Sequence, residues 1–218
     1  MNSNQIENMF VGRNYIHGQF TKRSPESDIF HKINPADGKS LGEFPQTHQR
    51  EIDLAYTSAR KAFKSWRKVS RIARAEYFYK IAKIIEIRLE EIATVISLET
   101  GKSFNESIAE VNEALHMAQY AFGSGRTTTG EAVASELAEK DSYMLRKPKG
   151  VVAIVSPFNF PVAIGAFWCA APAIVEGNTV IVKPSEDTPM SMQICAEIYH
   201  EAGLPPGVFN MVHGDGLV

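Results

Sequence analysis

"GVVAIVSPFNFPVAIGAFWCAAPAIVEGNTVIVKPSEDTP", Gly150 to Pro189, decides how this chain folds. Val151 to Val155 is an unbroken apolar run of strand length, Phe160 to Val175 an apolar run of helix length, and Thr179 to Val182 a second strand-length run. The alternation continues: Pro189 to Ala202 has amphipathic helical spacing, and Val208 to Val212 reads as a third strand. Apolar strands separated by helices of this length predict a parallel sheet with helices on both faces and right-handed crossovers. The expected fold class is therefore α/β, half of a doubly wound, Rossmann-like nucleotide-binding fold. "HGDGLV", His213 to Val218, then reads as the turn leaving the third strand, with two glycines supplying positive φ.

Upstream, Arg13 to Phe44 carries short strand-like runs, including Tyr15 to Phe20, separated by turns such as "NPADGK" at Asn34 to Lys39. From Gln49 the period becomes helical, with Ile52, Ala55, Ala59, Ala62, Phe63 and Trp66 on one stripe. A second helix is expected after the N-cap Ser70, with a stripe from Phe78 to Ile96 and a stop at Gly101. A third is expected from Ser103, whose capping box with Glu106 satisfies two otherwise free N–H groups, to about Phe122. Gly123 to Lys149 loses helical periodicity, and Tyr143-Met144-Leu145 reads as an exposed strand. No internal repeat or low-complexity segment interrupts this order.

The chain has 218 residues, 44% of them apolar and 22% charged, as in ordinary globular proteins. Lys and Arg number 23 against 25 acidic residues, so the net charge of -2 gives no footprint for nucleic acid or an anionic membrane. Neither a leader peptide nor a membrane span is expected: the first twelve residues hold Glu7 and no basic residue, and Pro161 and Pro172 interrupt the longest apolar stretch. Cys169 and Cys195 show no CxxC pattern and fall in apolar helical segments, which predicts two inert core residues and a reduced, cytoplasmic protein. The six histidines have no HxxH or HExxH spacing, so no metal site is expected. Phosphate-loop and nucleophile-elbow patterns are absent as well.

In open parallel sheets, ligands sit at the carboxyl ends of the strands. After the first strand comes Ser156-Pro157-Phe158-Asn159-Phe160-Pro161. Asn159 there either caps the next helix or offers a carboxamide to a developing oxyanion. After the second comes Lys183-Pro184-Ser185-Glu186. These residues either bind the hydroxyls of a nucleotide ribose or are a solvated lysine and a glutamate opening a helix. The GxGxxG fingerprint of the usual dinucleotide fold is missing; Gly214 to Gly216 echoes it weakly, after the wrong strand.

Taken together, Gly150 to Pro189 and "EAGLPPGVFNMVHGDG" at Glu201 to Gly216 resemble the aldehyde dehydrogenase superfamily, and the resemblance extends back through "ETGK" at Glu99 to Lys102 and "NPADG" to about Arg13. It implies that Asn159 is the oxyanion-hole asparagine and that Lys183 and Glu186 bind the cofactor ribose. Ser156, Pro157 and Phe158 would line the nicotinamide side, with Gly216 in the turn that completes the cofactor site. Phe158 stands where most members carry tryptophan. The implied cofactor is NAD, because Glu186 would repel a 2′-phosphate, with NADP kept possible by Lys183.

The resemblance also implies a division of the chain. Residues 1–128 would hold the amino-terminal strands and helices of the NAD-binding domain, 129–149 a strand-rich oligomerisation arm, and 150–218 the first βαβαβ part of the dinucleotide fold. A homo-dimer or tetramer and an aldehyde substrate, weakly favoured as a semialdehyde, follow from it. The family's nucleophilic cysteine and its base glutamate belong to later motifs that this sequence does not contain, so the chain is read as an amino-terminal portion that oxidises no aldehyde alone. A non-catalytic cofactor-binding or assembly subunit is the alternative, and an acyl-phosphate reductase of the broader fold fits KPSE and FNFP less well. With strand order 3-2-1-4-5, Val151 to Val155 would be left as an apolar edge prone to association.

Overall fold

The computed structural model describes residues 10–218; residues 1–9, on which the expectation of no leader partly rests, lie outside the described residues. Five short strands come first: β1 (Phe10–Val11), β2 (Tyr15–Ile16), β3 (Gln19–Phe20), β4 (Ile29–Ile33) and β5 (Ser40–Pro45). His17 and Gly18 both take positive φ, 54° and 78°, which is the twist that a two-residue hairpin between β2 and β3 needs. Strands β1, β5 and β4 form a small sheet of their own.

Four helices follow: α1 (Gln49–Trp66), α2 (Arg71–Ile87), α3 (Leu89–Thr100) and α4 (Phe104–Ser124). In α1 the small side chains Ala55 and Ala59 are fully buried, and Trp66 Nε1 donates to Ile174 O at 3.0 Å. Ser70 caps α2, and Ser103 and Glu106 form the expected capping box on α4.

The expected second helix is in fact two. The chain breaks at Arg88 (φ -97°, ψ 12°), whose guanidinium pairs with Glu91 at 2.9 Å, Glu197 at 2.8 Å and Glu201 at 2.7 Å. The apolar period runs through the break undisturbed, so periodicity alone gives no sign of it.

Next come the hairpin strands β6 (Gly130–Val133) and β7 (Ser142–Leu145), which among the described residues pair only with each other and expose Tyr143, Met144 and Leu145. The alternating part consists of β8 (Val151–Val155), a π-helical segment Ala163–Cys169 running into α5 (Ala170–Val175), β9 (Thr179–Lys183), α6 (Pro189–Glu201) and β10 (Phe209–Met211). Regular helix thus begins later than the expected Phe160. A Cβ on Gly165 would lie 2.6 Å from Ser156 Cβ, so only glycine lets the widened π-helical turn approach the end of β8 this closely.

The main sheet has the order β3-β2-β10-β9-β8, with β10–β9 and β9–β8 parallel and β10–β2 antiparallel. The 3-2-1 half of the expected order is present, and the amino-terminal hairpin adds two strands beside β10. Because side chains alternate along a strand, Thr179 and Ile181 face α1 while Val180 and Val182 face the core under α5 and α6. At the centre of that core Tyr199 stacks on Phe209 (4.3 Å between ring centres) and Phe167 (6.0 Å), meets Phe78 edge-on, and donates its hydroxyl to Ala166 O at 2.6 Å.

Strand β8 is the sheet edge among the described residues, and Val155 is 76% exposed. Among the described residues no helix is long and apolar enough to cross a membrane, and no His, Cys, Asp and Glu cluster could hold a metal ion.

Candidate functional site

The two loops singled out by sequence lie side by side because their strands are neighbours: Val155 pairs with Lys183, and Ser156 N donates to Lys183 O at 3.0 Å. Lys183 is buried, and its ammonium donates to Pro184 O at 2.7 Å and Gly214 O at 2.8 Å, with Glu186 Oε2 3.7 Å away. An ammonium has three N–H bonds, so one donor remains toward the Glu186 side. Burial pulls the Lys183 pKa down, while the carboxylates of Glu186 and Asp215 pull it back up. Glu186 itself is exposed.

Through Gly214, Lys183 also ties the last turn to this site. Gln46 Nε2 donates to Asp215 Oδ1 at 2.7 Å and Asp215 N to Gln46 Oε1 at 3.0 Å, which holds the turn against β5. Of the two glycines expected to take positive φ, only Gly214 does (145°); Gly216 does not and lies exposed with open space around it.

Asn159 is exposed, and its carboxamide makes no hydrogen bond among the described residues. The helix-cap reading of this residue is therefore not what the fold uses. Glu110 takes that role: its Oε1 accepts from Val162 N at 2.9 Å and Ala163 N at 3.4 Å, while Oε2 lies 2.6 Å from Lys102 Nζ. Lys102 Nζ also donates to the backbone carbonyl of Asn159 and lies 4.3 Å from the Phe160 ring centre.

A cleft of about 860 Å3 opens beside Asn159, walled by Lys102, Glu110, Glu113, Phe160 and Trp168. Pro157 and Phe158, just before Asn159, are exposed, Phe158 at 60%. Ser156 is buried, its hydroxyl lies against Gly165 and its N–H is taken by Lys183 O, which leaves its backbone carbonyl as the part that could meet a ligand.

Glu99 completes the arrangement. It is fully buried and accepts from Met190 N at 2.6 Å, Ser191 N at 3.0 Å and the Ser191 hydroxyl. Burial pushes its carboxyl up to about 7, against those three donors, which favour the ionised form. The free N–H groups of both helices that follow β8 and β9 are thus occupied by glutamates of the helical layer. In the usual dinucleotide fold such N–H groups receive a phosphate. Here carboxylates already occupy Val162 N, Ala163 N, Met190 N and Ser191 N.

The structure corrects the reading of Cys169, which is exposed rather than a core residue; Cys195 is buried as expected. Burial of the thiol raises the pKa of both, most strongly that of Cys195, so neither is poised as a thiolate nucleophile. Glu99, Lys102 and Glu110 were not singled out by sequence as site residues. Glu110 carried one signal: it shares the buried face of α4 with Ser107, Val111 and Ala114, an acidic residue on an apolar stripe.

Residues 20–218 match the profile of the aldehyde dehydrogenase family. The chain belongs to this family. The chain is 40% identical over 208 residues to the alpha-ketoglutaric semialdehyde dehydrogenase of Bacillus subtilis (strain 168), covering 94% of itself and 42% of that relative. It is 37% identical over 204 residues to malonate-semialdehyde dehydrogenase 1 of Geobacillus kaustophilus (strain HTA426), covering 94% of itself and 41% of that relative. The chain therefore spans about two-fifths of the length of these curated relatives.

Among solved structures, the lactaldehyde dehydrogenase of Escherichia coli superposes with a TM-score of 0.90 at 31% identity, covering 95% of this chain and 43% of that one. Aldehyde dehydrogenase C of Pseudomonas syringae, in complex with NAD+ and octanal, superposes with a TM-score of 0.85 at 34% identity, covering 94% and 41%.

Proposed function

We propose that this chain supplies the NAD-binding loops and the oxyanion donor of an enzyme that oxidises an aldehyde to a carboxylic acid. The observation that carries the reading is the juxtaposition, at the ends of two paired strands, of an unengaged Asn159 carboxamide and the Lys183–Glu186 pair. The exposed Glu186 carboxylate is suited to accept from ribose hydroxyls, and the remaining Lys183 donor to reach the same sugar. Bound NAD would supply the hydride acceptor. Asn159 would stabilise the oxyanion of the attacked aldehyde, a contribution of roughly 2.7–4 kcal/mol for one such donor. Ser156, Pro157 and Phe158 would border the nicotinamide side and Gly216 the turn beside the ribose.

NADP binding is disfavoured by Glu186, whose charge would oppose a 2′-phosphate, although Lys183 offers a partial counterweight. The exposed β6–β7 hairpin, with Tyr143, Met144 and Leu145 outward, supports its use as an arm between subunits of a dimer or tetramer. Two unpaired cysteines fit a reducing, cytoplasmic setting. The relatives that act on semialdehydes support an aldehyde substrate; on this chain's side of the cleft the lining cation is Lys102, and it is already committed to Glu110 and Asn159. A second carboxylate on the substrate thus finds no free basic partner among these residues.

Calorimetric titration tests the reading. NAD should bind the purified chain, more tightly than NADP, and Glu186→Ala should weaken NAD at least about tenfold, since hydrogen bonds to a charged group contribute about 1.5–3 kcal/mol. Unchanged affinity in Glu186→Ala would remove the ribose assignment. Neither cysteine is activated and neither later motif is present, so the chain alone should reduce no NAD in the presence of simple aldehydes or semialdehydes. Steady growth of absorbance from the reduced cofactor would overturn that expectation.

A further inference from the structure

The four residues Glu99-Thr100-Gly101-Lys102 sit at the end of α3, away from both strand ends, yet they touch both functional loops. Glu99 reaches the start of α6, three residues beyond Glu186, through Met190 N, Ser191 N and the Ser191 hydroxyl. Gly101 takes the left-handed conformation (φ 76°, ψ 7°) and turns the chain so that Lys102 leaves the helix in a new direction. Lys102 Nζ then meets Glu110, the Asn159 carbonyl and the face of Phe160. The Glu110 side chain is fully buried, and its second oxygen holds Val162 N and Ala163 N.

We infer that Lys102, braced by Glu110, is a positioning residue for Asn159. It holds the Asn159 backbone from below while leaving the carboxamide unengaged and facing the cleft. The argument is geometric. Asn159 lies in an exposed loop between two exposed aromatics, and its side chain has no hydrogen-bond partner among the described residues. A carboxamide stabilises an oxyanion only if it is already aimed when charge develops. The one strong bond that the described residues make to Asn159 comes from Lys102, and that ammonium is fixed in turn by a charge-assisted contact to a carboxylate with no exposure. The same four-residue turn, through Glu99, anchors the helix that follows Glu186, so one short segment braces both loops, which the β8–β9 pairing already places side by side.

This inference rests on the proposed role of Asn159, and its test is chosen to read the clamp independently of that role. Backbone 15N relaxation on the labelled chain reports the order parameter of the Asn159 and Phe160 N–H groups, expected near 0.85 for a rigid backbone in the wild type. In Lys102→Met both should fall below about 0.6, while Met190 and Ser191, held by Glu99, stay near the wild-type value. Lys102→Arg, which keeps a donor with its charge, should restore Asn159. If Lys102→Met does not fold, Lys102→Gln is read the same way and should lower the Asn159 value part of the way. Order at Asn159 unchanged in Lys102→Met, or in Lys102→Gln where that variant is the one read, or a loss spread equally to Met190 and Ser191, would overturn the inference. NAD titration of the wild type separates the two ideas: no binding removes the dehydrogenase reading, and the relaxation result still decides the clamp.

Discussion

Tyr199→Ala should destabilise the protein by about 3–5 kcal/mol, the cost of removing a large aromatic side chain from a packed core. The expectation follows from what the ring touches: Phe209 on β10, Phe167 in the π-helical segment and Phe78 on α2 all converge on it, and it is fully buried. No single neighbour can relax into the void without leaving another of these elements unsupported. Tyr199→Phe separates the hydroxyl from the ring. It keeps the stacking and loses only the bond to Ala166 O, so its cost should be about 1 kcal/mol. Urea unfolding of the two variants checks both numbers, and a loss below about 2 kcal/mol for Tyr199→Ala would show that the core collapses around the cavity.

The second large effect concerns acid. His213 is fully buried against Phe44, with no hydrogen-bond partner for either ring nitrogen within ordinary range among the described residues, and its pKa is pushed down to about 3. Desolvation is the main cause; the Arg13 backbone opposes it, and the nearby Lys183 charge adds a smaller push in the same direction as burial. The unfolded chain binds a proton on this histidine below about pH 6.5 and the folded one does not until about pH 3, so stability falls as pH falls across that window. The slope is about 1.4 kcal/mol per pH unit, about 5 kcal/mol in all.

Glu99 acts in the opposite sense. Its folded pKa of about 7 lies above the unfolded value, so between about pH 4.5 and 7 the folded state holds the extra proton and acidification stabilises. The two slopes therefore oppose each other over most of that range, and the wild type should show a nearly flat profile from pH 6.5 to 5. In His213→Leu the Glu99 contribution is unmasked, and stability should rise on acidification from pH 7 to 5. Denaturant unfolding at several pH values reads the difference directly; the same flat profile in His213→Leu would refute the assignment to His213.

Local features of the fold were legible in the sequence. The capping box at Ser103 and Glu106, the N-cap at Ser70 and the stripe of α1 each involve residues within one or a few turns of helix, and all are present as expected. The parallel strands were legible for a related reason: β8 and β9 are unbroken apolar runs, the pattern of a strand covered on both faces, although only β9 is buried along its length here while β8, at the sheet edge, exposes Ala153 and Val155. The break at Arg88 was not legible, because its cause lies on α6, 109 and 113 residues away at Glu197 and Glu201. Nor was the docking of the amino-terminal hairpin beside β10, where Met211 pairs with Tyr15.

The site divides along the same line. Sequence by itself determined the α/β class, the family, and the two loops that end β8 and β9, because motif and period are properties of neighbouring residues. Only the tertiary structure decided what those loops can do. It left the Asn159 carboxamide unengaged by giving the capping role to Glu110, and it occupied both helix starts with Glu110 and Glu99, across separations of 52 and 91 residues. It also brought Cys169 to the surface and spent two of the three Lys183 donors on backbone carbonyls. The physical reason is that a buried polar group must find its partner wherever the fold brings one within hydrogen-bond reach, and that partner has no fixed distance along the chain.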